Sequence, residues 1–188
     1  MDKVFIYGAG GHARVVADAI GKMGHEIYGF VTDKDYSKDV TPALGVVAIG
    51  SSKAREAITQ KLIGDGKTLL KVIHPSAVVS ENVEISEGAM LIGNAVVNVG
   101  SKIGRSAIIN TGATVDHDCT IGDWVHIAPG AHLCGNVSVG EGTWVCVGAS
   151  VIPGIKIGSW AMIGAGAVVI RDVPNGATVV GCPAKRIK

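Results

Sequence analysis

Residues 91–139 read LIGNAVVNVGSKIGRSAIINTGATVDHDCTIGDWVHIAPGAHLCGNVSV, and every sixth residue from the first is Leu, Ile or Val. Extended in both directions, the register runs Ile73, Val79, Ile85, Leu91, Val97, Ile103, Ile109, Val115, Ile121, Ile127, Leu133, Val139, Val145, Val151, Ile157, Ile163 and Val169, seventeen positions without a miss. These three residue types supply 52 of the 188 residues, so composition alone does not generate the run. Periodicity is the strongest signal of local structure in a single sequence. A repeat of six fits no α-helix, whose face recurs about every 3.6 residues. It fits a parallel β-helix built from hexapeptides.

Three hexads make one triangular coil, so positions 18 apart stack from coil to coil. The spacing recurs independently in Ala77, Ala95, Ala113, Ala131, Ala149 and Ala167, and in Gly112, Gly130, Gly148 and Gly166. Small residues suit the corners, where glycine reaches backbone angles closed to other residues. The apolar hexad positions stack inward, and seventeen hexads give between five and six coils. A prism this narrow has a thin core, and outward faces rich in Val and Ile ask for burial against copies of the same chain.

Before His74-Pro75 the period is different. Val4–Tyr7 reads as a strand and Gly8-Ala9-Gly10-Gly11 as the turn that ends it. His12–Met23 places Val15, Val16, Ala19, Ile20 and Met23 on one helical stripe. Strands are expected at Ile27–Val31, Val46–Ile49 and Thr68–Ile73. A second helix is expected at Lys53–Ile63, capped by Ser51 or Ser52, with Ala54, Ala57, Ile58 and Leu62 inward. Lys34–Leu44, charged and containing Pro42, reads as a loop. The order β-α-β-β-α-β implies a small Rossmann-like α/β sheet, mostly parallel. The division is therefore residues 1–73 as a Rossmann-like domain and 74–188 as a β-helix with a C-terminal tail.

Seventeen basic against sixteen acidic residues, with no basic block, argue against nucleic acid as a partner. The start Met1-Asp2-Lys3-Val4 shows no signal peptide, and no apolar run approaches the ~18 residues that cross a bilayer. Cys119, Cys134, Cys146 and Cys182 form no CxxC pair and read as thiols in a reducing cytoplasm.

The hexads followed by Val180-Gly181-Cys182-Pro183-Ala184-Lys185 resemble the hexapeptide-repeat acyltransferases. The leader Tyr7-Gly8-Ala9-Gly10-Gly11-His12, the segment Ile49-Gly50-Ser51 and the motif Val115-Asp116-His117-Asp118-Cys119-Thr120-Ile121-Gly122 are similar to one branch of them. That branch holds bacterial nucleotide-sugar N-acetyltransferases and sialic acid O-acetyltransferases. The resemblance implies a left-handed β-helix, against the general right-handed rule for crossovers. It also implies a homotrimer and acetyl-coenzyme A as co-substrate.

It implies residue roles as well. His117 matches the general base, suited to take a proton from an attacking amine because imidazole titrates near working pH. Asp118 matches the acid that holds the ring, with Asp116 as an alternative. Gly135, at His117 plus 18, lies one coil away; its small size leaves room for the imidazole, and its N–H suits an oxyanion. A plain corner glycine is the other reading. His126, Val147 and Ala165 match positions that meet the coenzyme. Lys156, Arg171, Lys185 and Arg186 are cations suited to its phosphates. The strand–turn–helix at Gly10, Gly11 and His12, with Thr32, Asp33, Gly50 and Ser51, suits a nucleotide sugar; NAD competes, but the sheet is short. Trp124 and Trp160, 36 residues apart, read as subunit-interface aromatics.

The expected activity is thus acetyl transfer from acetyl-coenzyme A to the amino group of a nucleotide-linked 4-amino-4,6-dideoxy sugar. O-acetylation of sialic acid or a related sugar is the alternative. A metal-dependent hydratase resembling γ-carbonic anhydrases would need His117, His126 and His132 as ligands, at spacings that do not suit that family; no metal is expected. A catalytically silent scaffold is the remaining class.

Overall fold

The computed structural model describes residues 3–39 and 41–188; Met1 and Asp2, part of the N-terminal reading above, and Val40, inside the expected loop, lie outside them. The N-terminal part comprises β1 (Lys3–Tyr7), α1 (Gly11–Lys22), β2 (Glu26–Val31), β3 (Leu44–Val47), α2 (Ser52–Gly64) and β4 (Thr68–Leu69). All four strands are parallel, in the order β2-β1-β3-β4. Strand β1 lies inside the sheet with both faces covered, which explains its unbroken apolar run Val4-Phe5-Ile6-Tyr7. Gly45 on β3 is required by space: a Cβ there would lie inside the Phe5 ring.

The stretch Thr68–Ile73, expected as one strand, is two. Thr68–Leu69 closes the Rossmann-like sheet, whereas Val72–Ile73 pairs with Met90–Leu91 as the first strand of the β-helix. Six coils follow, forming a left-handed parallel β-helix with three faces. Partners lie 18 residues apart, as in Ile108↔His126↔Trp144↔Met162, until the last pairings, Met162↔Thr178 and Ile157↔Val173, where the offset is 16. The hexad residues from Leu91 to Val169 are all buried in one column with Ala95, Ala113, Ala131, Ala149 and Ala167. The tail adds Thr178–Val180 to the first face, where it meets Lys185–Arg186 antiparallel.

The three faces differ outwardly. The first presents Met90, Ile108 and His126, all covered by the chain's own N-terminal part. The third presents Glu84, Lys102, Thr120, Ser138 and Lys156, a solvated row with a Lys102–Glu84 ion pair. Only the second, carrying Val78, Val96, Thr114, His132, Ser150 and Val168, keeps aliphatic side chains outward, so the general expectation of Val- and Ile-rich faces narrows to one.

The N-terminal part keeps one core of its own, Phe5, Tyr7, Val31, Val47, Leu62 and Leu69, and shares a second with the β-helix. Val4, Ile6, Ala13, Val16, Ala19 and Ile20 pack in one cluster with Val72, Met90, Ile92 and Ile108 of the β-helix. Val15, expected on the inner stripe of α1, is instead exposed, because the buried arc centres on Ala13, Val16 and Ile20. The second helix departs further. Ala54 and Ala57 face solvent, and the buried face carries Ser52, Arg55, Thr59 and Leu62. A polar face is buried because it meets backbone carbonyls at a β-helix corner rather than an apolar sheet.

Candidate active site at a solenoid corner

The motif Asp116-His117-Asp118 forms the corner between the second and third faces, following the strand Thr114–Val115. Asp118 takes a left-handed conformation (φ 58°), and this turns its carboxylate back towards the preceding residue. Its Oδ2 lies 2.9 Å from His117 Nδ1. Asp116 does something else: its Oδ1 accepts from the His117 backbone N–H at 2.8 Å and from Asn98 Nδ2 at 2.7 Å. Of the two acids left open by the sequence, Asp118 meets the ring and Asp116 braces the backbone. The hydrogen bond to Asp118 raises the His117 pKa above its ordinary value, helped by the charges of Asp116 and Asp118. An Asp118→Asn variant is therefore expected to move the acid limb of the kcat profile to lower pH. The base must be neutral, so activity falls as pH drops through the imidazole pKa; initial rates across pH check the shift.

Neighbouring coils frame this pair. His117 Nε2 and Cε1 lie against Gly135, one coil on, so closely that a Cβ there would overlap the ring. Gly135 has no left-handed φ, so space alone demands the glycine. Its N–H has no acceptor among the described residues. One coil back, Gly100 lies against Asp118 Oδ1 in the same manner, and Ser101 Oγ donates to the Asp116 carbonyl. Asn98, Gly100 and Ser101 were not singled out in the sequence; each lies 17 or 18 residues before a motif residue, the offset that revealed Gly135. Val99, Ile152 and Ile170 are exposed along the same edge.

Val147 and Ala165 stack at the corner between the first and second faces, the opposite edge of the second face. The Gly166 N–H donates to the Val147 carbonyl, and the N–H groups of Val147 and Ala165 have no acceptor among the described residues. His126 lies elsewhere. It is buried on the first face, stacked on Trp144 with centroids 4.9 Å apart, and its Nε2 is 3.0 Å from Asn110 Nδ2. The His12 ring is 6.3 Å away, across the junction with the N-terminal part. His12 Nε2 and His126 Nδ1 are both buried without a partner. Burial, followed by the Arg55 charge, pushes His12 down to about 4 and His126 down to about 3. Both folded values lie below that of the unfolded chain, about 6.5. Their stabilising effect is therefore complete above about pH 6.5 and fades as pH falls towards the folded values. We expect Tm to drop between about pH 7 and about pH 5, and less steeply in a His12→Asn/His126→Asn variant.

The strand order 2-1-3-4 places a topological switch point between β1 and β3, where ligands bind outside the carboxyl ends of the strands. Two helices start there. Helix α1 begins after Gly10, which has no side chain to cap it, and Ser51 at the start of α2 makes no capping bond, contrary to the sequence expectation. Both helices therefore leave free N–H groups at the crevice, an arrangement that favours phosphate. Asp33, just past β2, accepts from Tyr7 Oη at 2.6 Å and lies 3.5 Å from Lys61 Nζ. The Tyr7 hydrogen bond holds its carboxyl below the usual carboxylate value, so it is ionised. Thr32 Oγ1 donates to Asp35 at 2.7 Å. Ser51, Ser52 and Lys53 also line a cavity of about 480 Å³ with Trp144, Trp160 and Met162. Trp124, expected at a subunit interface, is buried beneath α2 within its own chain.

His117, His126 and His132 lie on a corner and two different faces, and among the described residues no three His, Cys, Asp or Glu side chains gather as a metal site would require.

Residues 3–62 match the PglD N-terminal domain, and residues 100–135 match the bacterial transferase hexapeptide family (six repeats). The structure of PerB from Caulobacter crescentus in complex with CoA and GDP-perosamine is 38% identical, with a TM-score of 0.96, covering 100% of this chain and 98% of that one. The acetyltransferase domain of PglB from Neisseria gonorrhoeae, in complex with acetyl coenzyme A, is 36% identical with a TM-score of 0.92, covering 99% of each chain. WeeI from Acinetobacter baumannii is 28% identical with a TM-score of 0.79, covering 98% of this chain and 99% of that one. With such identity over the whole chain, a PglD-type N-terminal domain and a hexapeptide β-helix, this protein belongs to the nucleotide-sugar N-acetyltransferase branch of the hexapeptide-repeat acyltransferases.

Proposed function

We propose that the protein transfers an acetyl group from acetyl-coenzyme A to the amino group of a nucleotide-linked 4-amino-4,6-dideoxy sugar. The observation that carries the reading is the His117–Asp118 pair on an open solenoid corner, in a chain that also bears a phosphate-favouring crevice. Full-length similarity to a perosamine N-acetyltransferase and to a PglB acetyltransferase domain supports it. The N-terminal part, which ends at β4, holds the nucleotide through Gly10, Gly11, His12, Thr32, Asp33, Gly50 and Ser51. The β-helix holds the coenzyme along the Val147–Ala165 edge, whereas His126, also expected there, faces the junction with the N-terminal part.

In the reaction, the sugar amine attacks the thioester carbonyl carbon and forms the new C–N bond. His117 Nε2 takes the ammonium proton, while Asp118 at Nδ1 stabilises the imidazolium. The Gly135 N–H faces the developing oxyanion. Collapse of the tetrahedral intermediate breaks the C–S bond, and the departing thiolate takes its proton from His117. No acyl-enzyme is needed.

The second face supports a homotrimer. The first face is covered by the chain itself as far as His126 and the third is charged, so the Val-bearing second face is the full-length row left to bury. Packed about a threefold axis, it would bring the His117 edge of one protomer to the Val147–Ala165 edge of the next. The test is a screen of purified protein with acetyl-coenzyme A and UDP-, GDP- and dTDP-linked amino sugars, reading free thiol. Thiol release with at least one is expected; none with any of them overturns the reading.

A further inference from the structure

Arg55 is the largest fully buried side chain in the protein, and no carboxylate pairs with it among the described residues. Its guanidinium is spent on carbonyls. Nη1 donates to Ile49 and Gly50 at 2.8 Å each. Nε donates to Ser106 at 2.8 Å, and Nη2 to Trp124 at 2.5 Å. One planar fork thus joins the loop that leaves β3 to two successive coils of the β-helix. An ammonium group could not reach both sides at once.

The bonds to Ile49 and Gly50 have a stereochemical corollary. Both peptide bonds are trans, so each N–H points opposite to the carbonyl of its own peptide unit. With both carbonyls turned to Arg55, the N–H groups of Gly50 and Ser51 point away from the guanidinium. Neither has an acceptor among the described residues. They stand beside the uncapped start of α2, at the switch point.

We propose that Arg55 is a positioning residue for nucleotide-sugar binding: it presets the two peptide planes whose N–H groups receive the diphosphate, and locks that loop to the β-helix. The inference rests on the assignment of the switch-point crevice to the nucleotide. Loss of the fork lets the planes rotate, so affinity for the diphosphate falls while the Val147–Ala165 edge, with which Arg55 makes no hydrogen bond, keeps its geometry.

A neighbouring contact supplies the control. Thr59 Oγ1 lies 3.1 Å from Ser106 Oγ and ties α2 to the same corner, but touches neither Ile49 nor Gly50. The experiment is calorimetric titration of UDP, GDP and dTDP, with acetyl-coenzyme A as reference, into wild type, Arg55→Lys, Arg55→Gln and Thr59→Val. Arg55→Gln is the second variant should Arg55→Lys fold poorly. The expected result is a tenfold or greater rise in Kd for the diphosphate that wild type binds, in the Arg55 variants only. The Kd for acetyl-coenzyme A stays within twofold, and in turnover KM for the sugar substrate rises with little change in kcat. Thr59→Val lowers Tm and leaves both affinities alone. Wild-type diphosphate affinity in the Arg55 variants, or equal weakening in Thr59→Val, overturns the inference alone. A wild-type protein that binds none of the three diphosphates overturns the crevice assignment with it.

Discussion

Replacing His117 by alanine is expected to lower kcat by about 10²–10⁴-fold, the usual contribution of a positioned general base. Tm should stay close to that of the parent. The imidazole is half exposed on a corner, and its side-chain hydrogen bond is to Asp118, so its removal opens no cavity. The corner itself is held by main-chain bonds: Asp118 N–H to Val99 and Asn136 N–H to the His117 carbonyl, neither of which the substitution touches. Initial rates followed by thiol release, with a melt on the same sample, separate chemistry from folding. Near-normal turnover in a folded variant would show that another group takes the proton.

The second large effect is expected at Gly135. Alanine there has an acceptable backbone conformation, but its methyl group occupies the place of the His117 ring. The ring must move by about an ångström, and misplacement of that size costs on the order of 10²-fold in rate. Gly66 gives the contrast. It has φ +77° with open space around its absent Cβ, far from the motif in sequence and on the connection after α2. Gly66→Ala should cost about 1–2 kcal/mol of stability from the left-handed backbone and leave kcat unchanged. Reversal of the two outcomes, a stability loss at Gly135 and a rate loss at Gly66, would mean that Gly135 serves the fold and not the imidazole.

The β-helix was readable because its core is repetitive: one inward residue per hexad writes the period into the chain seventeen times. The glycine above His117 was readable for the same reason, since stacking converts an offset of 18 into contact. What escaped was non-repetitive. Val72–Ile73 joined the solenoid and not the strand before it, because pairing partners in space decide between two short apolar runs that look alike in sequence. Arg55 escaped because a buried arginine looks like a solvated one until its acceptors are known, and those acceptors are carbonyls of any residue type. Ser51 escaped because a serine before a helix reads as a cap whether or not its hydroxyl turns inward.

The joint packing of Ile6, Ala13 and Val16 with Met90 and Ile108 limits how this chain can be recombined. A chimera joined at the change of period near His74 would set a foreign recognition half on an outer row it was not shaped for. Transplanting specificity between relatives therefore requires carrying Met90, Ile108, His126 and Trp144 with the donor segment. Heat or denaturant should melt the two architectures together, in one transition.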